Sequence, residues 1–196
     1  MTESEWHSCD DACAMLAFVY QQRGFPECSA LLRFGGDAAK VYDTDKSIHR
    51  FYLASCRRIW PLLPQEASRQ GIELAENWMD GKVSDDELNK FNWQVEAAAF
   101  NIDYDVEPER IAGWIAAVKA VPRVEMRQML CLGKQMVGPE PRELLKQAAY
   151  FADYSMMYPT LRPVAPPSEE YRPFLWASVL RKHLTYPDLP GGIRNA

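Results

Sequence analysis

Between Ser47 and Lys90 apolar residues recur three and four apart, break off, and resume, with turn or capping residues at each break. The first run puts Ile48, Phe51, Tyr52, Ser55, Cys56, Ile59 and Leu63 on one helical face. Thr44 or Asp45 is placed to cap it. Pro61 lacks an N–H and crowds the carbonyl four residues earlier, so this helix is expected to end or kink near Trp60. Pro64 suits a first helical position, and a second helix is read through Asp80 with Gly81 just beyond its end. Ser84 and Glu87 form a capping box for a third helix that buries Leu88, Phe91, Val95, Ala98, Ala99 and Ile102. Trp78 and Phe91, on the apolar faces flanking the Gly81 turn, are expected in the core.

The same grammar extends to both ends. Thr2 and Glu5 fit a capping box with Trp6 in the first turn. Asp10 or Asp11 caps a second short helix, Ala12 to Gln22, carrying Met15, Leu16, Val19 and Tyr20 on one face and closed by Gly24. Residues 25–44, with Gly35 and Gly36, read as a short helix or an irregular excursion. Asp103 to Glu107 is read as a turn and Pro108 as the opening of a helix with Ile111, Trp114, Ile115 and Val118, stopped by Pro122. Further helices are expected over 124–137, over 140–158, and from a Ser168 cap to about Leu184, the last two separated by a proline-rich loop. No strand-like alternation persists. The pattern predicts an all-α fold, an irregular bundle of six to eight helices. One domain spans 1–196, with sub-bundles conceivable over 1–102 and 108–184 and a tail over 185–196.

Several of these segments resemble a known family. MTESEW at the start, DDACAMLAF, FYLASCRRIWPLL and GIELAENWMDGKVSDDEL are similar to a family of uncharacterised bacterial proteins abundant in planctomycetes. Its members begin Met-Thr-Glu-x-Glu-Trp and carry a Cys-Cys-Arg-Arg-Ile-Trp helix, followed by a helix ending in Asp-Gly and a Ser-x-Glu-Glu-Leu start. The resemblance covers about residues 1–90. Ser55 stands in place of the first Cys of the pair, Pro61 in place of a polar residue, and a segment near 25–44 is inserted. The resemblance implies an α-helical cytoplasmic protein from a large set of paralogues. It implies no activity.

Composition narrows the function classes. Among 196 residues the formal net charge is −5, so the basic footprint that general nucleic-acid or anionic-membrane binding requires is missing. No apolar run reaches the length of a membrane span. Five cysteines, an odd number with no export signal before them, read as reduced thiols in the cytoplasm. Aromatic residues make up 12% of the chain, which suits a tightly packed core or an aromatic-lined surface.

Candidate sites are few. Arg50, Arg57 and Arg58, with Lys46, form a basic cluster, and Arg50 and Arg57 are spaced to share a face. Their guanidinium forks suit carboxylate or phosphate, and the acids Glu66, Glu73 and Glu76 of the next helix are alternative partners. Tyr150, Tyr154 and Tyr158 form a ridge at helical spacing, readable as an interface or as core. His7, Cys9, Cys13 and Cys28 match no zinc-finger spacing and read as buried thiols. Asn101, Asp103, Asp105 and Glu107 resemble the start of a calcium loop but lack its glycine and closing acid. Cys56 and His49 lie two helical turns apart, about 10 Å of rise, too far for a hydrogen bond. No catalytic set, metal site or cofactor motif is read. The leading expectation is a non-enzymatic interaction module, an immunity, antitoxin or regulatory partner acting on another protein. The alternative is an enzyme or small-ligand binder that takes an anionic substrate through Arg57, Arg58 and His49.

Overall fold

Both capping boxes form as their residues dictate. Thr2 Oγ1 accepts from the Glu5 N–H at 3.2 Å while the Glu5 carboxylate accepts from the Thr2 N–H at 2.6 Å. Ser84 and Glu87 repeat the exchange at 3.3 and 3.0 Å. In the computed structural model, which describes residues 1–22, 46–131, 140–157 and 169–186, these boxes open α1 (Glu3–Ser8) and α5 (Asp85–Tyr104). Between them lie α2 (Ala12–Gln22), α3 (Lys46–Arg58) and α4 (Glu66–Met79). After α5 follow α6 (Pro108–Ala120), α7 (Arg123–Met129), α8 (Pro141–Met157) and α9 (Ala177–His183). Short 3₁₀ turns cover Trp60–Leu62 and Glu169–Phe174. No strand occurs among the described residues, and the fold is all-α. Six helices run eleven residues or more; α1, α7 and α9 add six or seven each, which brings the described total to nine. The readings on Gly24, residues 25–44, the Thr44/Asp45 cap, Cys28 and Tyr158 lie outside the described residues.

Helix α8 is the centre of the bundle. It packs against α3, α4, α5 and α6. Leu144, Leu145, Ala148, Ala149, Phe151, Ala152 and Met156 are all buried on it. Three alanines at its middle keep it thin enough for neighbours to approach closely. Gly71 does the same on α4: a Cβ there would stand 2.4 Å from Val95 Cγ2 and 2.9 Å from Met156 Sδ. The apolar face read for α3 is entirely buried, as are Leu88, Val95, Ala98, Ala99 and Ile102 on α5.

One continuous core runs from Trp6 to Leu184. The C-terminal elements close over the N-terminal ones. Arg181 Nη1 donates to the carbonyls of Trp6 and Cys9 at 3.1 and 2.7 Å, and Arg172 pairs with Asp11 at 2.7 Å. Tyr186, at the start of the expected tail, stacks on Phe18 with ring centroids 6.3 Å apart.

Local corrections have simple causes. Helix α4 starts at Glu66 with Gln65 as its N-cap, so Pro64 precedes the helix instead of opening it. Helix α5 runs on through Tyr104 before Asp105 takes a left-handed conformation, φ 56°. The region from 169 is not one helix. Pro173 cannot donate to a helical ladder, and α9 begins only at Ala177. Helix α7 ends at Met129, well short of 137. Trp78 and Phe91 are half-buried, not core. The Trp78 indole N–H needs a partner and finds the Asp85 carboxylate at 2.6 Å, which holds the ring at the edge of the bundle.

Candidate functional site

Arg50 and Arg57 do share a face of α3, and the face borders a cavity of about 460 Å³. Its other charged walls are Glu76 and Asp80 from the end of α4, and His183 closes it from α9. The cavity exists because α9 docks on α3 while α4 ends in the Gly81 turn, leaving a notch between them.

The charges of this notch are already balanced. Arg57 embraces Glu76 with two parallel hydrogen bonds, Nε to Oε1 at 2.9 Å and Nη2 to Oε2, and Glu73 stands 3.6 Å from its Nη1. The Glu76 hydrogen bonds raise the Arg57 pKa above its ordinary value. Its guanidinium also lies over the Trp60 ring, 4.1 Å from the centroid. Arg50 sits 3.8 Å from Asp80. Burial, then the nearby Arg50 and Lys182, push the His183 imidazole below its usual range, so it adds no cation at neutral pH. Of the acids expected to meet the arginines, Glu73 and Glu76 do so, while Glu66 accepts instead from Gln70 at 2.8 Å.

Arg58 and His49 are elsewhere. Arg58 donates to the Gln128 carbonyl at 2.6 Å and lies over the Trp176 ring, clasping the C-terminal end of α7. His49 is buried, its Nε2 2.8 Å from the Ser155 carbonyl of α8. The structure therefore does not gather Arg57, Arg58 and His49 into one site. Cys56 is fully buried and burial pushes its thiol up to about 12, so it is no nucleophile at neutral pH.

Arg57→Ala is expected to cost only about 1 kcal/mol. The ion pair is bidentate, but its side chains are 39% and 36% exposed, and exposed pairs and cation–π contacts each contribute about 1 kcal/mol or less. Denaturant unfolding measures it. A loss above about 3 kcal/mol would show that the pair behaves as a buried one.

The tyrosine ridge divides. Tyr154 turns inward and meets Tyr52 edge-on at 5.3 Å and Tyr171 at 5.8 Å. Tyr150 turns outward, donates to Asp103 at 3.1 Å and meets Phe100 edge-on at 5.9 Å. Burial and then the Asp103 carboxylate push the Tyr150 hydroxyl up to about 12, so it remains a donor.

Phe100 belongs to a feature that the sequence reading passed over. Trp93, Ala97, Phe100 and Tyr104 lie within one narrow arc of α5, on the side opposite its buried face. Trp93 is 64% exposed, Tyr104 73% and Phe100 39%. The signal was present: three large aromatics stand out of phase with Leu88, Val95 and Ile102, where solvated polar residues would be usual.

The acidic turn is held by ion pairs. Asp103 pairs with Lys146 at 2.8 Å, Asp105 with Arg142 at 3.1 Å and Glu107 with Arg110 at 2.9 Å. No group of three His, Cys, Asp or Glu residues able to hold a metal ion occurs among the described residues. No described helix is long and apolar enough to cross a membrane.

Comparison with family models, characterised proteins and solved structures finds no match to this chain.

Proposed function

We propose that the protein is a non-enzymatic cytoplasmic interaction module, of the immunity, antitoxin or regulatory kind, whose docking face is the aromatic stripe of α5. The observation that carries this reading is the exposure of Trp93, Phe100 and Tyr104 in line along the longest helix. Leaving such rings in water forgoes their burial, and contiguous exposed aromatic surface marks interaction sites. Trp and Tyr are also the residues that dominate binding energy at interfaces. Tyr150, beside Phe100, extends the stripe across to α8. The alternative, capture of an anionic substrate by the arginines of α3, is weakened by the carboxylates that already neutralise Arg50 and Arg57.

The test is a triple variant, Trp93→Ser, Phe100→Ser and Tyr104→Ser. Exposed substitutions cost little, so the helical circular dichroism spectrum and melting temperature are expected to stay close to wild type. Co-purification of wild type and variant from the source cell is then compared, with sedimentation to detect self-association. The expected result is one stoichiometric partner, or a homodimer, present with wild type and lost with the variant. A partner or dimer that survives all three changes would refute the docking face.

A further inference from the structure

Most of the indoles in this chain are matched with a cation or a ring. The Arg57 guanidinium lies over Trp60 at 4.1 Å, Arg58 over Trp176 at 4.2 Å and Arg110 over Trp114 at 5.1 Å. Trp6 meets the ring of Phe18, and Trp78 that of His49. Of the six tryptophans, Trp93 alone has no ring, cation or hydrogen-bond partner among the described residues, and it is 64% exposed. The indole face is the side-chain surface that attracts a cation most strongly. At Trp93 that attraction is unused.

The charge around it is mostly of one sign. Helix α5 carries five carboxylates and a single lysine, Lys90, which is most of the negative excess in a chain of formal net charge −5. Asp86 stands two turns before Trp93, in line with the aromatic stripe, and Glu96 lies between Trp93 and Phe100 at the edge of the stripe. Neither has an ion pair among the described residues, whereas Asp103 at the far end of the helix is held by Lys146 at 2.8 Å. Two uncompensated carboxylates therefore flank an indole that lacks a cation.

On the reading of this stripe as the docking face, we infer that its partner is a basic amphipathic helix of another protein. A Lys or Arg of that helix sits on Trp93 between Asp86 and Glu96, and its apolar side covers Phe100 and Tyr104. From Trp93 to Tyr104 the stripe runs about 16 Å at the rise of an α-helix, which matches about three turns of a helix laid along it and exceeds the reach of a small cation. Covering the rings excludes water, so the attraction of the carboxylates and the indole for the cation strengthens as the interface closes. Anionic surfaces, whether lipid or nucleic acid, are repelled by the same carboxylates. Two copies of the stripe facing each other across a two-fold axis would set carboxylates against carboxylates with only Lys90 to offset them, so a second copy of this chain does not fit.

Three labelled peptides of about 18 residues, titrated with the full chain, test the inference by fluorescence anisotropy. One is an amphipathic Leu/Arg helix, the second has Glu in place of every Arg, and the third is the Leu/Arg composition scrambled so that no apolar face forms. The amphipathic Arg peptide is expected to saturate with a Kd of about 100 μM or tighter, and the other two to bind at least about tenfold more weakly. Its affinity is expected to fall as salt is raised from about 20 to about 150 mM. Asp86→Lys with Glu96→Lys is expected to weaken it about tenfold or more, and Asp86→Asn with Glu96→Gln, which reverses no charge, to weaken it in the same direction. Circular dichroism checks that both variants remain folded. The serine triple variant of the stripe is expected to abolish binding. Arg and Glu peptides that bind equally well, both lost in the serine variant, would overturn the inference while leaving the docking face standing. Arg-peptide binding that survives the serine variant would place the cation elsewhere and overturn it too, as would no saturation at about 1 mM or indifference to both carboxylate variants. A dimer of the wild-type chain that sedimentation shows to be lost with the serine variant would make the occupant a second copy, against the inference.

Discussion

Phe151→Ala is expected to remove about 3–5 kcal/mol of folding stability. Phe151 is fully buried at the middle of α8, the helix around which the others are arranged. Its ring meets Tyr52 of α3 at 6.2 Å, and Tyr171 and Phe174 of the 3₁₀ turn at 5.4 Å each. Truncation deletes the transfer free energy of the ring and leaves a cavity that three different elements would have to move to fill. The collapse is improbable because those elements are held independently, α3 by His49 on the Ser155 carbonyl and the turn by Arg172 on Asp11. Equilibrium unfolding in denaturant measures the cost, with the slope as a check that the transition remains two-state. A loss under about 1 kcal/mol would mean that the site is not core.

The second large effect has the opposite origin, too little room. Alanine is a better helix former than glycine by about 1 kcal/mol, so Gly71→Ala on an open helix face would stabilise. Here the new methyl would enter the space of Val95 Cγ2 at 2.4 Å and Met156 Sδ at 2.9 Å. The thioether can turn aside. Val95 cannot, because its branched Cβ is fixed in rotamer on a helix that is itself packed on α4 and α8. Overpacking of this kind costs about 1–3 kcal/mol, and Gly71→Ala is expected to be destabilising by that amount. The diagnostic is the cycle with Val95→Ala. In that background the methyl has space, and Gly71→Ala is expected to be neutral or stabilising. Four unfolding curves measure the coupling. A stabilised single variant would mean that α4 and α5 do not approach as closely as the structure places them.

Much of the architecture is readable from residues near one another in the chain. The capping boxes at Thr2 and Ser84 involve partners three residues apart, so their geometry is fixed before any helix meets another. The Asp11 cap of α2 and the Gly81 stop after α4 are equally local: Asp11 Oδ1 accepts from the Cys13 N–H at 2.9 Å, and Gly81 takes φ +73°. The buried faces of α3 and α5 follow from period alone. The pairing of Arg57 with Glu73 and Glu76 was legible as one of two alternatives, because consecutive antiparallel helices bring such charges together.

Other features depend on which helices become neighbours, and period does not encode that. Tyr150 and Tyr154 are one turn apart on α8 and were read as one ridge. They diverge because α5 lies beside one and α3 with the 3₁₀ turn beside the other. Arg57 and Arg58 are adjacent, yet the first faces α4 and the second α7. The unsatisfied amide of Gln65 is invisible in a sequence, where a glutamine before a helix is an ordinary polar residue. It becomes unusual only when the packed bundle closes over it and leaves both amide atoms buried. The sequence by itself determined the helices, their caps and their inward faces, because these rest on backbone hydrogen bonding and a 3.6-residue period. The tertiary structure alone decided which outward-facing side chains were covered, which were left in water, and which polar groups were buried without partners, because burial is a property of the packed assembly and not of any one helix.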